Sequence, residues 1–332
     1  MADVFGRPIA EALDRVGSLD QIARVDSFVD AEGLSRGARR MRVITGGGLE
    51  YDIHPDRALD LGAATLDGIP LAWLSSTGAA DPRFAEPHDR GWLRTFGGGL
   101  LATCGLDAFG PHAADEDGTV PMHGRIGAVP ARITRSEATQ DELTVAGTVR
   151  QTRVFGENLV LHREISSVVG STSITVHDTV TNEGAKASPH MLLYHVNIGW
   201  PLLDEGVTIE IPADKVFPRD ADAEAGFDTR YDITTPVAGF SEQVFVHDGG
   251  HGIARVTNPK LGIQFILRYS TETLPAIFQW KMTDIGHYVL GLEPANTPEI
   301  NGRVAARASG CLPVLKPRER VSYQVTFEFI RN

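Results

Sequence analysis

Cysteine is scarce in this sequence, which has two cysteines in 332 residues, Cys104 and Cys311. They form neither a CxxC pair nor a spacing typical of a zinc site. A disulfide between them is conceivable, but two thiols in a chain of this length more often indicate a reducing compartment. The first residues, 1–7, lack a charged segment followed by an apolar one, so no secretory signal is evident. We therefore expect a cytoplasmic protein.

Basic residues are also in deficit. The chain has 31 Lys and Arg against 43 Asp and Glu, and its formal net charge is -12. Binding of nucleic acid or of an anionic membrane surface requires clustered positive charge, so this balance argues against both partners. No apolar run approaches the ~18–20 residues that cross a bilayer. A small-molecule partner remains, and a neutral or sugar-like substrate fits the acidic charge.

Long helical patterns are missing as well. Apolar residues recur at roughly helical spacing only over the first ~25 residues. After about residue 38, short β-type runs follow one another, separated by Gly, Asp, Asn and Pro. A parallel sheet needs connecting helices of about 10–15 residues, so this succession predicts antiparallel strands. We predict an all-β antiparallel sandwich, with residues 1–37 as an N-terminal helical lead-in packed on the same domain and residues 38–332 as a single β-sandwich domain.

Two strand patterns are clear enough to predict which side chains are buried. Apolar and mostly polar residues alternate along 321–330, as in a strand with one face against the core. A similar alternation along 174–181 places Asp178 on the apolar face. This predicts a buried polar contact for that carboxylate.

Two triple-glycine runs, 46–48 and 97–99, stand out locally. A phosphate-binding loop joins a strand to a helix and carries a Lys or a GxGxxG spacing, and neither run has these features. Tight turns or close backbone approaches explain both runs better. The second run follows Arg94 and Phe96, and we expect this segment to line a cleft.

His123 is the first candidate site residue, in the segment Pro121–Gly127. A lone histidine is more often a structural hydrogen-bonding residue than a catalytic one. Here Pro121 and Gly124 favour a non-repetitive backbone, and Arg125 adds a permanently charged donor. Histidine titrates near neutral pH, so we include His123 as catalytic and Arg125 as substrate-binding.

His195 is the second candidate, and Asn197 and Trp200 follow it along the chain. Asn supplies donors and acceptors for sugar hydroxyls, and Trp offers an apolar platform for a pyranose face. The alternative is a histidine buried in the core for packing. The combination favours a carbohydrate site that contains all three residues.

Glu293 is the third candidate, near the end of a predicted strand and on a corner flanked by prolines. A carboxylate there can act as a general base, although a carboxylate that caps a turn gives the same pattern. Asn296 follows it, and Trp280 and Asp284 precede it. We include these three as substrate-binding candidates, with Trp280 as a second stacking platform.

Motifs for metal or covalent chemistry are largely missing. The 11 histidines form no HxH or HExxH spacing, and no GxSxG occurs. His123, His195 and Glu293 have the composition of a metal site with two histidines and one carboxylate. The sequence does not separate that alternative from an acid–base arrangement. Acid–base chemistry without a metal is our first interpretation.

The candidate segments also resemble a known family. His123-Gly124-Arg125, Tyr194–Asn197 and Leu292–Asn296 occur in the order of the signature segments of the galactose mutarotase (aldose 1-epimerase) superfamily. Residues 19–330 resemble more specifically a poorly characterised aldose-1-epimerase-like branch of it. The segments that carry this closer resemblance are Gly46–Leu49, Pro55–Asp60, Pro70–Ser75 and Pro121–Gly127. The resemblance implies an antiparallel β-supersandwich with an open sugar-binding face.

The resemblance further implies a cofactor-free isomerase with a carbohydrate substrate. By carry-over, His195 protonates the ring oxygen, Glu293 takes the proton of the anomeric hydroxyl, and His123 helps to hold the sugar. Ring opening, rotation about C1–C2 and closure then give the other anomer. The Asn-Arg pair that precedes the first histidine in the family is not evident here, and Arg94 is its positional candidate. We leave a homodimer open.

Two other functions also stay open. The same acid and base can abstract a proton α to a carbonyl, which would make the protein an isomerase, epimerase or lyase of a keto-sugar or uronate. Arg94 and Arg125 would then meet a carboxylate or enolate. A non-catalytic sugar-binding module would use Trp200 and Trp280 as platforms and would not need Glu293.

Overall fold

The computed structural model describes residues 3–331. The strands are, in chain order, Asp3–Val4 (β1), Arg7–Pro8 (β2), Arg24–Val29 (β3), Arg39–Ile44 (β4), Leu49–His54 (β5), Asp60–Leu66 (β6), Ile69–Pro70 (β7), Leu101–Cys104 (β8), Ala113–Asp115 (β9), Gly118–Val120 (β10), Arg132–Ala138 (β11), Glu142–Thr152 (β12), Asn158–Val168 (β13), Ser173–Asn182 (β14), Ser188–Pro189 (β15), Leu193–Gly199 (β16), Thr208–Glu210 (β17), Ala213–Pro218 (β18), Gln243–Gly250 (β19), Ile253–Asn258 (β20), Ile263–Tyr269 (β21), Ala276–Asp284 (β22), His287–Ala295 (β23), Val314–Leu315 (β24) and Arg320–Arg331 (β25). The α-helices are short: Ile9–Leu13 (α1), Ala221–Ala225 (α2) and Arg303–Ala308 (α3). Single 3-10 turns occupy Leu19–Gln21, Gly33–Ser35, Pro82–Phe84, Gly91–Arg94, Ile126–Ala128 and Phe227–Thr229.

Two large sheets contain most of these strands. The smaller has 8 strands in the order β11-β12-β13-β14-β25-β21-β20-β17. The larger has 11, in the order β18-β19-β22-β23-β16-β8-β6-β5-β4-β3, with β7 paired to β6. Neighbouring strands are antiparallel in both sheets. The predicted all-β antiparallel sandwich is confirmed.

The core lies between the two sheets, and buried apolar side chains from both sheets form its main cluster. Strand β25 contributes Tyr323, Val325, Phe327 and Phe329 on its buried face, as the alternation along 321–330 predicts. Phe265 on β21 stacks on Phe329, with ring centroids 5.1 Å apart. Burial of such side chains, at about 1.5–3 kcal/mol each, provides most of the driving force for this packing.

The N-terminal region differs from the prediction. Its helix, α1, has 5 residues, and β3 already belongs to the larger sheet. The sheet therefore starts well before residue 38. Strand β3 lies at the edge of that sheet and is mostly exposed, so its sequence lacks the apolar alternation by which a half-buried strand is recognised.

A buried ionic network joins the two sheets. Arg163 on β13 is fully buried and donates to both carboxylate oxygens of Asp178 on β14, at 2.9 and 2.7 Å. Tyr194 on β16 donates its hydroxyl to the same carboxylate at 2.7 Å. The buried polar contact predicted for Asp178 is confirmed. Because Tyr194 precedes His195 and faces the opposite side of the strand, this network anchors β16 from beneath.

The glycine runs are close backbone approaches, as predicted. A Cβ atom at Gly47 would overlap the carbonyl of Gly170, and one at Gly98 would lie 2.5 Å from the carbonyl oxygen of Trp73. Gly98 also has a positive φ of 73°. Only glycine fits both requirements at this position.

Candidate active site

His195 and Glu293 face each other across two neighbouring strands. On the antiparallel pair β16 and β23, Val196 lies opposite Leu292, so the adjacent residues His195 and Glu293 also lie opposite each other. His195 Nε2 is 3.4 Å from Glu293 Oε1, and both side chains are almost fully buried. This distance is long for a strong hydrogen bond. Each of the two groups can therefore still form a hydrogen bond to a ligand, and one ligand atom can contact both.

Gly291 makes room for the Glu293 carboxyl group. The two residues share a face of β23, and Trp280 on β22 lies opposite Gly291. A Cβ atom at 291 would lie 2.5 Å from Glu293 Oε1 and 2.9 Å from the Cβ of Trp280. Any side chain at 291 must therefore displace the carboxyl group, the indole or both.

His123 reaches the site from a loop whose backbone is left-handed. Its φ is 57°, and Gly124 follows with a φ of 76°. A non-glycine residue in this region costs of order 1 kcal/mol or more and needs support from its surroundings. Two backbone hydrogen bonds supply it: His123 N donates to Gly110 O at 2.8 Å, and Gly105 N donates to His123 O at 3.1 Å. The imidazole centroid lies 5.7 Å from that of His195.

Aromatic side chains wall a pocket of about 430 Å³ around these groups. They are Trp73, Trp92, Phe96 and Trp280. Phe96 packs against His195 with ring centroids 5.1 Å apart, and Trp280 meets the same imidazole edge-on at 5.4 Å. Trp92 packs against His123 at 4.5 Å. Such faces exclude water and suit the apolar C–H face of a ring-shaped polyol.

Charged groups lie at the rim of the pocket. Glu242 accepts hydrogen bonds from Arg219 Nη2 at 3.1 Å and from Trp280 Nε1 at 3.0 Å. Arg219 is also paired with Asp220, at 2.7 Å. Arg90 lines the pocket with an exposed side chain that has no ion-pair partner among residues 3–331. The rim thus offers both donors and an acceptor to a hydroxylated ligand.

Burial changes the proton affinities of the three central groups. It raises the pKa of Glu293 to about 8, with the Glu242 charge adding to the rise and Arg219 opposing it. Burial lowers the pKa of His195 to about 4, and burial together with the nearby His195 and Arg219 lowers the pKa of His123 to about 3. At neutral pH Glu293 is therefore protonated and both histidines are neutral. The His195–Glu293 pair thus holds one proton, which is bound to Glu293. An imidazolium beside a carboxylate would also hold one proton in total, bound to the histidine.

Asn197 lies behind His195 and not in the pocket. It is fully buried, and its Nδ2 donates to the backbone oxygens of Gly99 and His195, both at 2.9 Å. Its Oδ1 and the Nδ1 of His195 are both buried without a hydrogen-bond partner in the described part of the chain. Asn197, which we expected to contact substrate, thus holds the backbone of His195 in place.

Three other predicted binding residues lie outside the pocket. The Arg94 side chain is 73% exposed and pairs with Glu86 at 3.2 Å, because its 3-10 turn directs it away from the pocket. Arg125 donates to the carbonyl of Thr119 at 2.6 Å. Trp200 follows the last residue of β16 and is 66% exposed. None of the three lines the pocket.

Asp284 and Asn296 support the backbone. Asp284 accepts hydrogen bonds from the N–H groups of Gly239 and Ile285, at 2.9 and 2.8 Å, and so caps the turn after β22. Asn296 Oδ1 accepts from Leu192 N at 2.9 Å. Of the predicted binding residues, Trp280 is therefore the one that lines the pocket with His123, His195 and Glu293.

The sequence patterns do not predict Trp92, Arg90, Arg219 and Glu242 as pocket residues. Trp92 and Arg90 lie two and four residues before Arg94, and an aromatic residue within the polar loop 86–94 was an available signal. Arg219 and Glu242 are 23 residues apart, at the end of β18 and before β19. Only strand pairing brings them together, so no local pattern predicts them.

Within residues 3–331, no group of three or more His, Cys, Asp or Glu is arranged to hold a metal ion, and His123, His195 and Glu293 form no such group. None of the helices in these residues has the length and apolarity that crossing a membrane requires.

Solved structures share this fold. A candidate aldose 1-epimerase from Klebsiella pneumoniae subsp. pneumoniae has a TM-score of 0.86 at 23% sequence identity, over 95% of this chain and 86% of that one. For a galactose mutarotase-like protein from Clostridium acetobutylicum the values are 0.68 and 14%, over 94% and 100%. For a galactose 1-epimerase from Lactobacillus acidophilus they are 0.62 and 14%, over 93% and 99%. The fold is that of the galactose mutarotase-like proteins, as the sequence resemblance implies.

Within that fold class the chain belongs to the family described as "Domain of unknown function (DUF4432)", which matches residues 35–329. Comparison with curated proteins gives no match.

Proposed function

We propose that this protein is an aldose 1-epimerase-like isomerase, a mutarotase that acts on a free sugar or sugar derivative by acid–base catalysis. The observation that carries the proposal is the His195–Glu293 pair, 3.4 Å apart and buried in an aromatic pocket. Mutarotation needs one acid and one base within reach of the same C1–O5 unit. The fold that the chain shares with the galactose 1-epimerase from Lactobacillus acidophilus supports the same reaction class.

The reaction begins with a proton transfer within the pair. Glu293 holds the shared proton at neutral pH, so this proton must first move to His195 to give a carboxylate and an imidazolium. Attraction between the two charges at this short distance offsets part of the cost. Glu293 then accepts the proton of the anomeric hydroxyl, while His195 Nε2 protonates the ring oxygen as the C1–O5 bond breaks. The open-chain aldehyde turns about C1–C2, and closure by the reverse transfers gives the other anomer.

The remaining pocket groups bind and orient the sugar in this proposal. Trp280 presents an apolar face to the sugar ring. Arg219 and Glu242 at the rim exchange hydrogen bonds with its hydroxyls. His123 is neutral at physiological pH and can either donate or accept one, because neutral imidazole carries one donor and one acceptor nitrogen.

Polarimetry on a panel of freshly dissolved pure anomers tests the proposal. Hexoses, pentoses and deoxy sugars belong in the panel, since the pocket does not single out one sugar. We expect the protein to accelerate relaxation to the anomeric equilibrium above the buffer rate for at least one of them. Buffer rates on every sugar, with correctly folded protein at micromolar concentration, would overturn it.

Two observations favour a second candidate, isomerisation, epimerisation or elimination on a keto-sugar or uronate. Arg90 has no ion-pair partner in residues 3–331 and lines the same pocket, where a guanidinium can bind a carboxylate. The raised pKa of Glu293 also makes its carboxylate a stronger base toward a carbon acid. NMR of products formed in D2O separates the two reactions. Only α-proton abstraction places deuterium on carbon, whereas mutarotation leaves every C–H bond intact.

A non-catalytic sugar-binding module has less support. Of its two proposed platforms, Trp280 lines the pocket and Trp200 does not. Keeping a carboxyl group and an imidazole buried side by side lowers stability, and binding alone does not require it. Sugar binding with neither anomer exchange nor deuterium incorporation would favour this reading over both enzymes.

A further inference from the structure

A second cavity, of about 260 Å³, shares the aromatic wall with the first. Trp92 and Phe96 line both cavities. The charged and imidazole groups of the second cavity come from β4 to β6 and their connections: Arg40, Asp52, His54, Arg57 and Asp60. Its volume falls below the ~300–1,000 Å³ of typical drug-sized pockets, so it suits a small ligand.

Arg57 brings a positive charge without a direct counter-charge. Its two terminal nitrogens donate to the backbone carbonyls of Ala80 and Thr95. No carboxylate oxygen in residues 3–331 lies within 4.0 Å of the guanidinium, although Asp60 and Asp81 act on it at longer range. Arg57 is partly buried, a charge in such a position is stabilised by a partner of opposite sign, and an anion would supply one here.

His54 and Arg40 add further donors. A Cβ atom at Gly62 would overlap the Nε2 of His54, so the glycine makes room for the imidazole. Within the described residues the imidazole of His54 has no hydrogen-bond partner. The Nε–H of Arg40 is likewise buried and unpaired. The cavity therefore contains more hydrogen-bond donors than the acceptors that the described residues offer them.

The acceptors of the cavity are mostly occupied. Both oxygens of Asp52 accept from arginines, Arg40 at 3.3 Å and Arg42 at 2.9 and 3.3 Å. Asp60 Oδ1 accepts from Thr103 N and Oγ1, at 3.0 and 2.6 Å, and from Arg163 at 3.3 Å. Asp60 Oδ2 is the carboxylate oxygen that no donor of residues 3–331 occupies in this cavity. The cavity thus has several spare donors, of which those of Arg40 and Arg57 belong to cationic side chains, and one spare acceptor.

We propose that this cavity is a binding site for a small hydroxylated anion, a carboxylate or a phosphate monoester. Arg57 and His54 bind the anionic group, and Asp60 Oδ2 accepts from a hydroxyl of the same ligand. The ligand also contacts the side of Phe96 and Trp92 that faces away from the first pocket. Those two rings pack against His195 and His123, so occupancy alters the environment of an indole beside the candidate active site. This proposal does not depend on which reaction the first pocket catalyses.

Isothermal titration of the full chain with D-glycerate, glycerol 3-phosphate and glycerol tests it. We expect at least one of the two anions to bind with millimolar or better affinity, and the neutral triol not to bind. The first two ligands separate a carboxylate preference from a phosphate preference. Tryptophan emission should change along the same titration curve. Equal binding of glycerol, or no binding of either anion at millimolar concentration, would overturn the proposal.

Matched arginine variants locate the site. Arg57→Gln should weaken anion binding by about tenfold or more, since a charge-assisted contact is lost. Arg57→Lys keeps the charge and should retain most of the affinity, which separates loss of charge from loss of folding. Arg90→Gln removes an unpaired guanidinium from the first pocket and should leave the affinity unchanged. Binding that survives Arg57→Gln, or disappears in Arg90→Gln, contradicts the assignment.

Discussion

His195 on β16 and Glu293 on β23 lie directly opposite each other, with Nε2 and Oε1 3.4 Å apart. Strand register alone sets this relationship. A shift of either strand by one residue would turn one of the two side chains to the other face of the sheet. The acid–base pair is therefore a property of the rigid sheet, and His123 is added to it from a loop.

We expect a bell-shaped dependence of kcat/KM on pH. The pair holds one proton between about pH 4, where His195 titrates, and about pH 8, where Glu293 titrates. A second proton binds below this window and the shared proton is lost above it, so the active form declines on both sides. Anomer exchange measured by NMR from about pH 3 to 10 checks this, with circular dichroism at each pH to exclude unfolding. Activity that stays level well above pH 8 would contradict the role of Glu293.

Glu293→Gln should stabilise the fold at alkaline pH. The pKa of Glu293 is about 8 in the folded chain and 4.5 ordinarily. The stabilising contribution of this group is complete below pH 4.5 and is lost as pH rises to about 8, because the unfolded chain releases a proton that the folded chain retains. The free energy of unfolding of the variant minus that of wild type should increase by about 1.4 kcal/mol per pH unit in this window. Urea denaturation at three pH values measures it, and a difference independent of pH contradicts it.

Gly291→Ala should lower kcat/KM by about tenfold or more while the fold is kept, because a carboxyl displacement of even ~1 Å disturbs acid–base geometry. The added methyl group would lie 2.5 Å from Glu293 Oε1. The φ of Gly291 is not in the left-handed region, so alanine is compatible with the backbone conformation and only the neighbouring side chains must move. Gly17→Ala is the matched control, since a Cβ at Gly17 meets nothing within 4 Å. Equal activity of the two variants would show that the carboxyl group does not need this space.

Trp280→Ala should raise KM by about tenfold, because one wall of the pocket and the hydrogen bond to Glu242 are both lost. Trp200→Ala should change KM little, since this indole is 66% exposed and lies outside the pocket. Steady-state kinetics of anomer exchange, or sugar titration if turnover is slow, makes the comparison. A larger rise in KM for Trp200→Ala than for Trp280→Ala would show that the sugar binds at Trp200 and not in the pocket.

The fold could be predicted from the sequence to a large extent, because a strand that is buried on one face alternates apolar and polar residues. The alternation along 321–330 and the polar Asp178 on an apolar face both correspond to what the structure shows. The edge strand β3 lacks this alternation because few of its side chains are buried. For that reason the sequence pattern predicts a start of the sheet that is later than the observed one.

Only those site residues that lie in recognisable sequence motifs could be predicted. His123, His195 and Glu293 lie in short segments that a family resemblance can order along the chain, and the structure brings them into one pocket. Asn197 and Trp200 are predicted from their chemistry and nearness in sequence, and Arg94 from its position before the first histidine, yet all three side chains lie behind or outside the pocket. Arg219 and Glu242 converge through the pairing of β18 with β19, which no local pattern specifies.

The role of Glu293 as proton acceptor in anomer exchange is tested most directly by comparing wild type with Glu293→Gln. The measurement is NMR exchange spectroscopy on a panel of free sugars. The variant keeps the shape of the side chain and removes its ability to accept a proton. We expect wild type to exchange the anomers of at least one sugar above the buffer rate and Glu293→Gln to lower this rate by a factor of about a hundred or more. Equal exchange rates for the two proteins on every sugar would contradict it.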